Sequence, residues 1–168
     1  RFRADGLGGF APFSTSPMNF TDKGVDTSTG WGVRIGYTGN LTDAVTVGAT
    51  YQSRTWMSKF SDYKGLFANQ GEFDIPENYG IGIAVKATPK LTIAADIQQI
   101  NYGDIASVSN PLLPNLFPPP SLGADNGPGF GWRDMTVFKL GASYAWSEKL
   151  TLRAGVSTTR QPIPKDET

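Results

Sequence analysis

Residues 132–164, which read WRDMTVFKLGASYAWSEKLTLRAGVSTTRQPIP, decide the fold. Every second residue from Phe138 to Trp146 is apolar, and the residues between them are charged, polar or small. After the polar turn at 147–149, the same alternation runs from Leu150 to Val156. A period of two residues is the period of a β-strand with one apolar face. The stretch therefore predicts a β-hairpin.

The two faces of this hairpin favour a membrane protein. The apolar face ends at the turn in Tyr144 and Trp146, amphipathic rings that suit a boundary between lipid and water. The opposite face carries Lys139 and Arg153 in mid-strand, where a packed core would exclude charge and a water-filled lumen would accept it. We therefore expect an all-β, antiparallel transmembrane β-barrel with its apolar residues toward lipid.

The same alternation recurs four times before the hairpin. It covers residues 31–38, 45–54, 79–87 and 91–98. The phase then shifts to Ile100, which predicts either a β-bulge near Gln98 and Gln99 or a strand that is leaving the membrane. The connections between the six predicted strands alternate between short and long. Outer-membrane barrels have this pattern, with tight turns on one side and long loops on the other.

Composition narrows the classes of function. Hydrophobic residues make up 39% of the 168 residues. The sequence contains no run of about 18 apolar residues, the length that would predict a transmembrane helix. The chain has neither cysteine nor histidine, so it lacks thiols, the commonest metal ligand and the usual general base. Its 15 basic residues balance 15 acidic ones, a balance that gives no indication of nucleic-acid binding.

The predicted strands are too few for a complete barrel, since six strands cannot enclose a wet interior. The chain also starts at Arg1 without an initiator methionine or a charged-then-apolar leader. We expect residues 1–168 to be part of a single outer-membrane β-barrel domain. Its N-terminal signal and its remaining strands are expected to be missing from this sequence.

Short sequence pieces between residues 30 and 164 follow one another in a specific order. They are Gly30-Trp31-Gly32, Thr50-Tyr51-Gln52-Ser53-Arg54, Ile75-Pro76-Glu77, Trp132-Arg133-Asp134, and Leu152-Arg153-Ala154-Gly155 followed by Pro162-Ile163-Pro164. In this order the pieces resemble the FadL family, the outer-membrane transporters of long-chain fatty acids and aromatic hydrocarbons in Gram-negative bacteria.

The resemblance implies a fourteen-stranded barrel plugged by a small N-terminal hatch, with these residues as its later-middle strands. Neither the hatch nor the kinked early strand that opens a lateral exit is in this sequence. The implied function is passive transport of hydrophobic molecules across the bacterial outer membrane. Apolar outer loops would capture the molecule, which would then pass through the lumen and leave sideways. Each buried methylene contributes about 0.8 kcal/mol, so an apolar loop surface can hold an alkyl chain without a catalytic group. No enzymatic step and no cofactor is therefore expected.

The predicted capture residues are apolar side chains of the two long loops: Phe60, Leu66, Phe67, Leu112, Leu113, Leu116, Phe117 and Leu122. The alternative is that they pack the loops against one another over the barrel mouth. Arg133 stands where the family motif carries a basic residue, which the resemblance implies as a partner for a ligand carboxylate. The alternative for Arg133 is an ion pair with Asp134 or with a loop acid.

Five charged residues fall on the predicted lumen face: Arg34, Arg54, Asp96, Lys139 and Arg153. Such charges form either a structural network across the barrel interior or a binding site. The expected partners are a long-chain fatty acid or another hydrophobic small molecule, and outer-membrane lipid. Neither a metal nor nucleic acid is expected, and the full-length barrel is expected to be monomeric.

Two other classes of protein remain open. The first is a soluble or membrane β-barrel, or a soluble sandwich, that binds a small apolar ligand without transporting it. A soluble protein would not be expected to place aromatic residues at both edges of a uniformly apolar face. The second is an outer-membrane lipid-modifying enzyme, whose nucleophile and base would lie outside this sequence.

Overall fold

A computed structural model describes residues 1–119 and 121–164. The strands are β1 (Gly30–Trp31), β2 (Arg34–Asn40), β3 (Val45–Gln52), β4 (Trp56–Met57), β5 (Asn78–Thr88), β6 (Leu91–Ile100), β7 (Met135–Ala145) and β8 (Thr151–Thr159). One-turn helices are α1 (Ala68–Gly71), α2 (Ala106–Ser109) and α3 (Leu113–Leu116), and 3-10 turns cover Gly8–Phe13, Pro17–Asn19, Ser61–Tyr63 and Tyr102–Asp104. No helix in the described part of the chain is long and apolar enough to cross a membrane.

Six strands form one antiparallel sheet in the order β2-β3-β5-β6-β7-β8. Each strand therefore pairs with the next long strand along the chain, and β2 and β8 are the two edges. Tight turns join β2 to β3, β5 to β6, and β7 to β8, whereas long loops of residues 53–77 and 101–134 make the other two connections. The antiparallel β fold and the alternation of short and long connections are confirmed.

The register separates the two faces of the sheet. Gly48, Gly82, Asp96 and Lys139 are cross-strand partners in succession from β3 to β7. The next row contains Ala49, Ile81, Ile97 and Phe138, which point to the opposite face because successive side chains alternate along a strand. One face is thus small, polar and charged, and the other is apolar.

The first predicted strand differs from the expectation, because residues 31–38 do not form one continuous strand. The ladder between the strands is interrupted at Val33, whose amide donates to the Ser53 hydroxyl at 2.9 Å instead of to a backbone carbonyl. Beyond this point, Trp31 pairs with Trp56 in the short β1–β4 ribbon. A side-chain hydroxyl in place of a ladder carbonyl is the physical reason for the break.

The predicted bulge near Gln98 and Gln99 is wrong. The β5–β6 pairing runs in register through both residues to the pair of Asn78 with Ile100, and its irregularity lies instead between Lys86 and Thr88, beside the tight turn. Ile100 stays on the polar side of the sheet, paired also with Met135 at the start of β7. The shift in hydrophobic phase therefore marks the end of the strand.

The buried apolar residues lie outside the six-stranded sheet. They are Phe20, Phe60, Tyr63, Phe67, Ala68, Ile105 and Val108. They belong to residues 1–29, 53–77 and 101–134, three segments that we call the loop cap. Backbone bridges join them, such as the pair of Ser14 with Leu122. The two faces of the sheet, by contrast, leave most of their side chains half-buried or exposed.

Candidate functional site

The interior of the loop cap is an aromatic cluster built around Tyr63. Its side chain is fully buried, and its hydroxyl donates to the Gly24 carbonyl at 2.6 Å. The ring of Phe2 packs edge-on against Tyr63, with centroids 5.0 Å apart. The cluster therefore fastens the N-terminal segment to the loop between β3 and β5.

Three predicted capture residues belong to this cluster. Phe60 and Phe67 are each 7% exposed, and the partly buried Leu66 packs against them. Their apolar surface is already covered by other residues of the loop cap. In this structure they hold the loops together and offer little surface to a ligand.

The remaining predicted capture residues lie on or beside the short helix α3. Leu113 is 58% exposed and Phe117 is 59% exposed, while Leu112 is 37% exposed. Pro114 occupies the first turn of α3, where a missing amide proton costs no hydrogen bond. Leu116 and Leu122 are half-buried. The proline-rich loop thus places large apolar side chains at the surface.

Two phenylalanines of the N-terminal segment extend this surface. The rings of Phe13 and Phe117 meet edge-on with centroids 5.8 Å apart, and Phe10 lies 6.5 Å from Phe13. Phe10 is 53% exposed. We call Phe10, Phe13, Leu112, Leu113 and Phe117 the outer apolar surface.

Sequence reasoning missed Phe10 and Phe13 because residues 1–29 show no alternation that would indicate their position. The N-terminal segment and the proline-rich loop are joined by contacts between residues that are far apart in the sequence. The hydroxyl of Thr15 donates to the Leu122 carbonyl at 2.9 Å across 107 positions. No local pattern could have indicated that Phe13 and Phe117 are neighbours.

Arg54, a predicted lumen charge, joins two segments of the loop cap, residues 53–77 and 101–134. Its Nε lies 2.6 Å from Asp74 Oδ2, its Nη2 lies 2.7 Å from Glu72 Oε1, and its Nη1 donates to the Asp104 carbonyl at 3.0 Å. The Asp74 carboxylate also accepts the Met57 amide at 2.7 Å. This ion cluster connects the end of β3 to both long loops.

The other predicted lumen charges lie along the polar face of the sheet. Asp96 and Lys139 are cross-strand partners, and the Lys139 ammonium donates to Gln98 Oε1 at 3.1 Å. An open cleft of about 420 Å³ on this face is lined in part by Gly48, Gly82, Asp96 and Lys139. The Asp96 carboxylate occupies the space over Gly82, whereas a Cβ at Gly48 would make only ordinary van der Waals contacts. Arg34 and Arg153 are exposed on β2 and β8.

Arg133 lies where the loop cap meets the sheet, immediately before β7. Its side chain is exposed, and its amide donates to the Pro162 carbonyl at 2.9 Å. The neighbouring Asp134 carboxylate accepts the Gly103 amide at 2.8 Å. Arg133 is therefore held at the junction of β7, the end of β8 and the long loop.

The described residues, 1–119 and 121–164, contain no group of three or more acidic side chains that could hold a metal ion. The arrangement consists instead of an apolar outer surface, an ion cluster beneath the loops and a polar sheet face.

Several solved structures share this fold. The Pseudomonas putida toluene transporter TodX matches with a TM-score of 0.55 and 23% identity, over 81% of this chain and 37% of that one. The Ralstonia pickettii toluene transporter TbuX matches with a TM-score of 0.52 and 21% identity, over 78% of this chain and 36% of that one. The CymD monoaromatic hydrocarbon channel matches with a TM-score of 0.53 and 20% identity, over 79% of this chain and 38% of that one.

The chain thus spans little more than a third of the length of these structures. No curated protein matches it. Residues 8–168 match the family model of the outer membrane protein transport protein family (OMPP1/FadL/TodX). With its strands, its alternating turns and this match over nearly all of its residues, the chain belongs to that family of outer-membrane transport proteins.

Proposed function

We propose that this protein transports hydrophobic molecules passively across the bacterial outer membrane, with capture on the loop cap followed by passage through the barrel lumen. The observation that carries the proposal is the outer apolar surface. Large apolar side chains that could have been buried are exposed there beside a well-packed core, and exposed apolar patches of this kind mark binding sites.

The passage step rests on the polar face of the sheet. Glycine, alanine and threonine dominate its central rows, as in the row of Thr46, Ala84, Ala94, Gly141 and Gly155. Small side chains leave space for a solute, whereas the apolar face is suited to lipid. The charges Arg34, Asp96, Lys139 and Arg153 keep this face hydrated.

The sheet is proposed to be part of one larger barrel domain. Within a bilayer every backbone amide and carbonyl must be hydrogen-bonded, so the edge strands β2 and β8 need further strands as partners. We infer that the complete barrel places the polar face inward and is monomeric.

Two cargo classes fit the outer apolar surface, long-chain fatty acids and aromatic hydrocarbons. Each buried methylene contributes about 0.8 kcal/mol, and the edge-on rings of Phe13 and Phe117 also offer aromatic contacts. A fatty acid further needs a cation for its carboxylate. We assign that role to the exposed Arg133.

The capture step is tested by titrating the full-length protein with a fluorescent fatty acid and with an aromatic hydrocarbon. Replacing both Leu113 and Phe117 with serine is expected to weaken binding about tenfold or more, since each buried large side chain contributes about 1.5–3 kcal/mol. Met18→Ser is the matched control, because Met18 is 77% exposed on the loop cap but lies outside the outer apolar surface. Equal losses in both variants would contradict the capture proposal.

The carboxylate role is tested with Arg133→Gln. Fatty-acid binding should weaken while binding of the neutral hydrocarbon stays unchanged. Lys64→Gln, which removes an exposed positive charge elsewhere on the loop cap, should change neither. If Arg133→Gln weakens both ligands equally, Arg133 supports the loop structure and is not a carboxylate partner.

A further inference from the structure

Positive charge is concentrated on the polar face of the sheet, although the chain as a whole has 15 basic and 15 acidic residues. The charged residues of the six long strands are the basic Arg34, Lys86, Lys139 and Arg153 and the acidic Asp96. The register places all of them on the polar face. The proposed lumen face is therefore positively charged, and a surface of this kind attracts anionic solutes.

Lys139 and Asp96 are direct cross-strand partners in the middle of the sheet, yet no ion pair joins these two described residues. The Asp96 carboxylate turns toward β5, where it occupies the space over Gly82 that a Cβ atom would fill. The Lys139 ammonium donates instead to Gln98 Oε1 at 3.1 Å. Two charges that the register places opposite each other are thus held apart.

The Lys139 ammonium has capacity for a further anionic partner. It carries three N–H donors, and the bond to Gln98 uses one of them. Within residues 1–119 and 121–164, no carboxylate lies within ion-pair distance of it. Lys139 also belongs to β7, which is flanked by β6 and β8. Strands added at the edges of the sheet would therefore leave it facing the lumen.

The ammonium reaches toward the end of the sheet from which a captured molecule would come. Gln98 lies two residues beyond Asp96 in the direction of the loop at 101–134, so Lys139 extends diagonally toward the loop cap to contact it. Asp96, Gln98 and Lys139 all line the open cleft of about 420 Å³ on this face. Space for a solute thus lies beside a cation with unused donors.

We propose that Lys139 determines cargo specificity within the lumen, where its ammonium binds the carboxylate of an anionic amphiphile in transit. The inference rests on the proposed function, because it requires the polar face to line the transport route. The absence of a side chain at Gly82 lets Asp96 turn away instead of neutralising the ammonium. The site is separate from Arg133, which lies where the loop cap meets the sheet. A neutral hydrocarbon gains no charge interaction at Lys139.

Uptake by cells that express the full-length protein tests the proposal, with oleic acid and oleyl alcohol as probes. The two probes share one alkyl chain and differ in charge. The measured quantity is the ratio of their initial protein-dependent uptake rates, acid over alcohol, at subsaturating concentration. Lys139→Gln should lower this ratio about three- to fivefold, the effect expected of one hydrated charge pair. Lys139→Arg, which keeps the charge, should largely retain it.

Lys149→Gln is the matched control. It removes the same charge from the same hairpin, but Lys149 is exposed in the tight turn between β7 and β8, outside the sheet. The ratio should stay at the wild-type value.

Gly82→Ala tests the placement of Asp96. The added Cβ would collide with the Asp96 carboxylate, and a carboxylate displaced toward Lys139 would neutralise the ammonium. We expect the ratio to fall as it does in Lys139→Gln. The additional change Asp96→Asn should restore it, because the amide is uncharged.

An unchanged ratio in Lys139→Gln would overturn the specificity proposal, as would equal falls in Lys139→Gln and Lys149→Gln. An equal loss of both probes in Lys139→Gln would show a structural role and would also overturn it. In all three cases wild type still takes up both probes, so the transport function stands. If wild type takes up neither probe faster than cells without the protein, the transport function fails and this inference fails with it.

Discussion

Arg54 and Asp74 form a charge pair between the end of β3 and the first long loop, with Nε and Oδ2 2.6 Å apart. The Asp74 side chain is only 4% exposed, whereas that of Arg54 is 28% exposed. Asp74 therefore depends on Arg54 for charge compensation, and its second oxygen accepts the Met57 amide. The pair supports the contact between the sheet and the loop cap.

Arg54→Leu is expected to destabilise the loop cap strongly. Losing one partner of a buried pair leaves an uncompensated charge and costs about 3–5 kcal/mol, and the change also removes the bond to the Asp104 carbonyl. Hydrogen exchange at the Met57 amide measures the effect and should become much faster. Arg3→Leu, which breaks the exposed pair with Asp5, should cost no more than about 1 kcal/mol. Similar exchange in both variants would refute the role of Arg54.

Alanine substitutions at Gly71 and Gly24 test whether the stability of the loop cap depends on backbone conformation alone or also on the lack of space for a side chain. Both have positive φ, +95° and +79°, so alanine at either position costs about 1–2 kcal/mol. At Gly71 the added methyl group would also collide with the Phe60 carbonyl, whereas Gly24 faces open space. We expect Gly71→Ala to lower the melting temperature of the cap clearly more than Gly24→Ala, as followed by near-ultraviolet circular dichroism. Equal shifts would mean that the Gly71–Phe60 approach relaxes freely.

Tyr63→Phe should loosen the N-terminal segment without disturbing the sheet. The substitution removes the hydroxyl that donates to the Gly24 carbonyl and accepts the Ala4 amide, at a cost of about 1–3 kcal/mol for the groups left unpaired. Limited proteolysis should cut within residues 1–29 faster. Tyr102→Phe serves as the control, because within residues 1–119 and 121–164 the structure shows only a ring contact with Trp132 for that side chain. An unchanged cleavage rate in Tyr63→Phe would show that ring packing alone holds the segment.

Gly82→Trp should impair passage of a substrate through the barrel lumen without impairing its capture on the loop cap. The added side chain would displace the Asp96 carboxylate, which occupies the space over Gly82, and its ring would narrow the space that we propose as the transport route. Uptake of a hydrophobic substrate by cells should fall severalfold, while binding to the purified protein stays near wild type. Ile83→Trp places the same ring on the opposite face, where Ile83 is 44% exposed, and should preserve uptake. Normal uptake by Gly82→Trp would exclude this face from the route.

Several parts of the fold were predictable because they depend on local pattern. The alternation in β3, β5, β6, β7 and β8 follows the pleat of a strand, and tight turns leave adjacent strands no other partner than each other. The placement of Lys139 and Arg153 on the opposite face of the sheet from Phe138 follows from the same two-residue period. The break at Val33 was not predictable, since it depends on a hydroxyl that lies 20 positions away.

The candidate site was predictable only in part. Leu113 and Phe117 are large apolar residues in a proline-rich loop, so their exclusion from the sheet follows from composition. Phe60 and Phe67 have equally apolar side chains, yet they are buried against Phe2 and Tyr63. Nothing local distinguishes the two pairs, because burial in an irregular loop depends on which distant segment covers it.

The six-stranded sheet, the chemistry of its two faces and the alternation of its connections follow from local sequence pattern. These features repeat with the two-residue period of a β-strand, which a short window within each strand reveals. The core of the loop cap, the pairing of Arg54 with Asp74 and Glu72, and the contact of Phe13 with Phe117 depend on the tertiary structure. Those contacts join segments without periodicity, so they exist only once the strands have brought the loops together at one end of the sheet.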